Sequence, residues 1–284
     1  VQARVNTQLA LKKGREALAR AHLRMKRDLE AAAAIQQTLL PVEKPEIDGA
    51  ECAWRYVPCD ELAGDTLNVI PLGDEITGLF VLDVSGHGVP SSLLSVTLSR
   101  LMSSGPGSAS VLQRHESETG EFRVASPLEV ANELIRQFPY NNETHQYFTL
   151  VYGVLDTPNN VFSYISAGHP PIVHLRRGER PVLHSSTGSP ISLLPEILGS
   201  NIFEEVNVEL EPGDRLFLYS DGIPEAHNSL REEFEEERIA EILEGSMDKS
   251  LDESIDDLLE EVWNWGGGCG PDDDVSILAI EIDG

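Results

Sequence analysis

Cysteine is scarce in this chain. Cys52, Cys59 and Cys269 are all it has, and none forms a Cys-x-x-Cys pair. An odd count without that spacing argues against a disulfide framework or a zinc site and fits a reducing, cytoplasmic compartment. Positive charge is scarce too: 21 Lys and Arg stand against 48 Asp and Glu, a formal net charge of -27. Such a surface repels phosphate backbones and anionic membranes, so nucleic acid is not an expected partner. Long apolar runs are missing, which excludes a spanning helix in this stretch, and no signal-peptide pattern opens it. There is no P-loop, no Rossmann glycine fingerprint, no pattern of a Ser or Cys triad and no internal repeat.

What is present suits one large domain with an added element. The first residue is Val1 rather than Met, so a longer parent protein is expected. Residues 1–40 carry eight Lys and Arg against three Asp and Glu, and the rest carries 13 against 45. The pattern changes with the charge. Residues 1–40 are rich in helix formers, and Leu11, Leu18, Met25, Ala32 and Leu39 recur every seven residues. The second seam, Gly14, Ala21, Asp28 and Ile35, is poor. This predicts a helical linker over 1–40, paired as a short coiled coil in a homodimer. An amphipathic helix lying on its own domain is the competing reading. Pro41 should end the helix, leaving 41–284 as the main domain.

Beyond residue 50, short apolar runs alternate with turns. Strands are predicted at Cys52–Tyr56, Leu79–Asp83, Phe148–Leu155, Phe162–Ser166, Ile172–Leu175, Arg215–Tyr219 and Val275–Ile282. Helices are predicted at Ser91–Met102, Pro127–Gln137, Arg231–Leu243 and Leu251–Trp263. Short turns between strands and helices in separated pairs point to an α+β fold with antiparallel sheets and helices packed outside. Residues 103–126, polar and rich in Gly and Ser, read as a mobile surface loop. The glutamates of 232–238 read as a solvated helix face.

Four segments place aspartate beside glycine or at a strand end: Ala63-Gly64-Asp65, Asp83-Val84-Ser85-Gly86-His87-Gly88, Ser220-Asp221-Gly222 and Asp272-Asp273-Asp274-Val275. A carboxylate at the end of a buried strand is partly desolvated and needs a cation or several donors. Glycine beside it lets a ligand approach the backbone. Several such carboxylates with few competing cations make an oxygen-ligand site for Mg²⁺ or Mn²⁺. Alone, Asp83 or Asp221 reads first as a turn, and the Asp272–Asp274 run as a loop cap before the last strand. Four in one chain are not explained that way.

In order, the chain also shows Ala34-Ile35-Gln36-Gln37-Thr38-Leu39-Leu40-Pro41, Tyr56-Val57-Pro58-Cys59-Asp60-Glu61-Leu62-Ala63-Gly64-Asp65, Ser166-Ala167-Gly168-His169-Pro170-Pro171 and Tyr219-Ser220-Asp221-Gly222-Ile223-Pro224-Glu225-Ala226. Together with the other aspartate segments, these blocks resemble the SpoIIE/RsbU-like bacterial branch of the PPM serine/threonine phosphatases, from about residue 31 to 282. The resemblance implies a sandwich of two antiparallel β-sheets flanked by helices, with two divalent cations, Mn²⁺ or Mg²⁺, at one end. It implies that Asp65 and Asp83 hold one ion, that Asp83, Asp221 and Asp273 serve the other, and that the Val84 carbonyl contributes. It implies a phosphoserine or phosphothreonine protein as substrate, often a small anti-sigma-factor antagonist, and an output domain behind a sensor or receiver domain.

The chain departs from the family pattern at three places. Ala63 and Ser192 stand where the family has glycine, and Asn68 stands where a second aspartate is common. Asn68 is expected to weaken the cation site next to Asp65. It also keeps open a second reading, a catalytically weak or inactive PPM-like adaptor module. For His87 and His169, a general-acid role competes with a structural one. Arg55 reads as a strand-surface arginine rather than a phosphate ligand.

Overall fold

The computed structural model describes every residue except 1, 42–43, 74, 105–109, 116–121, 187, 194–202, 269 and 271. Helix α1 (Gln2–Gln37) leads into a sandwich of two five-stranded sheets. One sheet has the order β1 (Ala50–Val57), β12 (Val275–Ile282), β11 (Arg215–Tyr219), β8 (Ile172–Leu175), β9 (Val182–His184). The other has β10 (Val206–Glu209), β7 (Val161–Ala167), β6 (Phe148–Asp156), β3 (Ile76–Val84), β2 (Thr66–Gly73). Every strand pairing is antiparallel, as the short connections predict.

Strand period two sorts the core into layers. Leu79 and Val81 of β3 face Leu216 and Leu218 of β11 and Leu278 and Ile280 of β12 between the sheets. Phe80 and Leu82, the alternate residues, pack outward on α2 (Val89–Leu101) and α3 (Pro127–Gln137). Phe217, Tyr219, Ile277 and Ala279 pack outward on α4 (Glu236–Gly245) and α5 (Leu251–Trp265). Helices α3 and α5 each begin with a Ser-x-x-Glu capping box, Ser126 with Glu129 and Ser250 with Glu253.

Three expectations need correction. Residues 103–126 are not simply a surface loop. Gln113–His115 (β4) pairs with Phe122–Val124 (β5), and Val111, Leu112 and Ala125 are buried in the core; residues 105–109 and 116–121 lie outside the described residues. Helix α4 begins at Glu236 rather than Arg231, because Arg231 and Glu235 sit at φ 66° and 69°, which breaks helical continuity. Helix α1 ends at Gln37, and Leu40 enters the core. Most of α1 is exposed, including Leu11, Leu18 and Met25; Gln36 is buried.

Candidate metal centre

The register of the two sheets brings the aspartates together. Thr66 pairs with Leu82, so Asp65, just before β2, and Asp83, near the end of β3, lie at the same end of one sheet. In the other sheet Tyr219 pairs with Ile277, and the Ser220 N–H donates to the Ser276 carbonyl at 2.9 Å. That places Asp221, just after β11, beside Asp273, just before β12. The sheets are stacked, and the four carboxylates meet at one end of the sandwich.

Two glycines let the segments close on one another. A Cβ on Gly64 would stand 2.7 Å from the Val84 carbonyl oxygen and 3.3 Å from Asp83 Oδ1. A Cβ on Gly222 would stand 2.0 Å from the Asp274 carbonyl oxygen. These glycines therefore serve the approach of neighbouring backbone rather than of a ligand, which corrects the reading from sequence.

Asp274 organises the centre, and the sequence did not single it out from the aspartate run. It is buried, and its two carboxylate oxygens accept the Cys59 N–H and the Gly64 N–H, each at 2.8 Å. One carboxylate thus ties the β1–β2 connection to the start of β12. A second organiser is Gln36, whose side-chain amide donates to the Ala63 carbonyl at 2.7 Å. Its only sequence signal was its place in the block that ends at Pro41.

The electrostatics are those of crowded anions. Burial, then Asp83, pushes the Asp65 carboxyl well above the usual range. Asp65 Oδ2 is buried without a partner; the Ser220 and Ser276 hydroxyls offset part of the cost without making a hydrogen bond of ordinary geometry. Burial and then Asp221 raise Asp83 to about 7. Burial, then Glu225 and Asp273, raise Asp221 to about 6. Burial also raises Asp273, against a downward pull that includes His87. Carboxylates held this close by backbone geometry, with an orphaned oxygen among them, match the donor set of a hard divalent cation. Among the described residues, the side chains whose ligand atoms all lie within 4.8 Å of one another are Cys59, Asp273 and Asp274. Burial and then Asp274 push the Cys59 thiol up to about 12, and a soft sulfur suits a hard cation poorly.

A family model of stage II sporulation protein E (SpoIIE) matches residues 73–283. The chain belongs to the SpoIIE family. The match includes Asp83, Asp221 and Asp273 and begins after Asp65. Phosphoserine phosphatase RsbP of Bacillus subtilis (strain 168) is 29% identical over 206 residues, covering 71% of this chain and 46% of that protein. Phosphoserine phosphatase RsbU of the same organism is 26% identical over 201 residues, covering 71% and 54%. The chain thus spans about half the length of these relatives. The SiaA-PP2C domain of Pseudomonas aeruginosa superposes with a TM-score of 0.73 at 18% identity, covering 93% of this chain and 99% of that one. The fold is therefore the PP2C-type sandwich.

Against that family, the three departures have local explanations. Asn68 is turned from the centre: its Nδ2 donates to the Leu39 carbonyl at 3.2 Å, and its Oδ1 accepts the Val69 N–H at 2.8 Å. The expected weakening of a cation site by Asn68 loses its basis in this geometry. Ala63 is buried, with its own N–H and carbonyl both bonded to Gln36. Ser192 keeps a positive φ of 70° and pins it with a 2.7 Å hydrogen bond from its hydroxyl to the Phe138 carbonyl.

In this SpoIIE-family chain the two histidines differ. His169 is buried, its Nδ1 lies 2.8 Å from the Thr149 hydroxyl, and burial drives its pKa down to about 3. Its Nε2 is buried without a hydrogen-bond partner. His87 is exposed at the rim, 3.8 Å from Asp60. Arg55 pairs with Asp252 and Asp256 of α5 and is not offered to a ligand. No helix among the described residues is long and apolar enough to cross a membrane.

Proposed function

We propose that this chain is a metal-dependent serine/threonine phosphoprotein phosphatase, the output domain of a bacterial signalling protein. The observation that carries the reading is the convergence of Asp65, Asp83, Asp221 and Asp273 around a buried carboxylate oxygen with no partner. The phosphoserine phosphatases RsbP and RsbU support it. Asp65 and Asp83 would hold one divalent cation, and Asp83, Asp221 and Asp273 the second, with the Val84 carbonyl contributing. When bound, two such cations, Mn²⁺ or Mg²⁺, supply an acidified water and a positive clamp for phosphoryl oxygens.

The chain's own residues do the rest. Asp274 and Gln36 fix the Asp65 segment, and the Gly64 and Gly222 contacts lock the strand ends at the spacing the carboxylates need. His169 stays neutral and holds Thr149, the residue opposite Asp83 on β6. The substrate we propose is a phosphoserine or phosphothreonine protein of the anti-sigma-factor-antagonist class. We also propose a sensor or receiver domain upstream and a homodimer through residues 1–40, on the motive of the exposed Leu11, Leu18 and Met25. An adaptor module without turnover has less support, because Asn68, its motive, points away from the carboxylates.

Turnover of p-nitrophenyl phosphate after chelation, with and without added Mn²⁺, tests the activity. Restoration by Mn²⁺ is expected, and absence of turnover across the Mn²⁺ and Mg²⁺ range would leave the adaptor reading.

A further inference from the structure

Between β11 and α4 the chain makes a fixed loop directly after the Asp221 turn. The Glu225 N–H donates to the Asp221 carbonyl at 2.9 Å, so the loop starts on the centre itself. Asn228 then organises it: its side-chain oxygen accepts the Leu230 N–H at 2.8 Å and the Glu232 N–H at 3.0 Å. Trp265 of α5 anchors the far side through a 3.2 Å bond to the Glu232 carbonyl. The consequence is a positive φ of 66° at Arg231. A non-glycine residue there is strained where glycine would not be.

What stands in that position is an exposed arginine. Several other arginines of this acidic domain are engaged: Arg55 and Arg215 are tied to carboxylates, and Arg238 lies 4.3 Å over the Trp265 ring. Among the described residues, the Arg231 side chain makes no ion pair and no hydrogen bond, and neither does the Ser229 hydroxyl. Both line a cavity of about 310 Å³ with His227, and Asp272, the neighbour of Asp273, forms part of its wall. The cavity wall thus includes the residue next to Asp273 in the chain, and the cavity offers a cation, an imidazole and a hydroxyl to a ligand.

We propose that Arg231, with His227 and Ser229, forms an anion subsite that binds a carboxylate side chain of the phosphoprotein substrate, close in sequence to the phosphorylated residue. This rests on the phosphatase reading above. The phosphate itself belongs at the aspartate centre, so the group that reaches Arg231 is a neighbouring Asp or Glu. In a chain this acidic, one unpaired arginine in that cavity selects the register in which an acidic peptide lies down, because other walls of the site repel it.

The test walks a single Glu from three positions before to three after phosphoserine in an otherwise Ala peptide, with a matching Lys series and p-nitrophenyl phosphate as control. Wild type should prefer Glu over Ala in at least one register by roughly three- to fivefold in kcat/KM, the size of one exposed ion pair. The preference should appear in KM. Arg231→Gly should abolish it while keeping p-nitrophenyl phosphate turnover and unfolding at the same or higher urea concentration. Arg231→Glu should turn the preference to Lys in that register. A wild type without Glu preference, or one unchanged in both variants, overturns the subsite and leaves the phosphatase reading standing. A wild type that turns over neither peptide nor p-nitrophenyl phosphate with Mn²⁺ overturns both.

Discussion

Gln36 grips Ala63 by both ends of its side-chain amide: Nε2 donates to the Ala63 carbonyl at 2.7 Å, and Oε1 accepts the Ala63 N–H at 3.3 Å. The last turn of α1 is thus bonded to the residue two before Asp65. Replacing Gln36 with Ala leaves two buried backbone groups without partners, at a cost of roughly 1–3 kcal/mol. The expected outcome is a lower urea midpoint and a higher Mn²⁺ concentration for half-maximal turnover. Wild-type values for both in Gln36→Ala would show that the grip does not set the geometry of the centre.

Asn68 yields a prediction opposite to the one its family position suggests. A carboxylate at 68 would face the Leu39 carbonyl that Asn68 now bonds. Asn68→Asp should therefore leave the Mn²⁺ requirement unchanged and lower stability by about 1 kcal/mol. A clear drop in the Mn²⁺ needed for half-maximal turnover would return the position to the cation shell.

Stability of the cation-free protein should depend on pH through Asp83. Its folded pKa of about 7 lies above the ordinary 3.8, so between these values the folded state holds more protons than the unfolded one. Stability from this group is present at low pH and lost as pH rises through about 7, by up to roughly 1.4 kcal/mol per pH unit. In chelator, Asp83→Asn should flatten the decline in urea midpoint between about pH 5.5 and pH 8 and be the more stable form at pH 8. The same decline in the variant would contradict the crowded-carboxylate account.

The exposed apolar row of α1 gives a fourth expectation. Leu11, Leu18 and Met25 are more than half exposed, and a second copy of the helix is the simplest cover. Sedimentation should show a concentration-dependent dimer, and deletion of residues 1–30 should give a monomer. A monomer at every accessible concentration for both forms would remove the pairing.

Much of this architecture was legible because its strands are strongly patterned. Strands β3, β6, β11 and β12 alternate large apolar residues on both faces, and α3 carries its own capping box and proline. Strand β2 was not, because Asn68 and Pro71 interrupt its run. Proline is tolerated there since β2 is the edge of its sheet, with a register shift between Pro71 and Gly73. Strand β9, of three residues, is too short to show a period. The false start of α4 has a different cause: residues 231–235 have the composition of a helix, but the Asn228 turn overrides propensity. The aspartates were visible from composition and neighbours. The tasks of Asp274 and Gln36 were not, since each is defined by a bond to a residue at least 27 positions away.

The central claim is that the clustered aspartates hold the cations on which phosphoester hydrolysis depends. Its most direct measurement is release of phosphate from a phosphoserine peptide by chelated protein titrated with Mn²⁺, run on wild type, Asp83→Asn and Asp221→Asn. The account predicts no release in chelator, recovery with Mn²⁺ in wild type, and a loss of at least about a hundredfold in both variants, which stay folded. Release that persists in chelator, or Mn²⁺-dependent release at the wild-type rate in both variants, would contradict it.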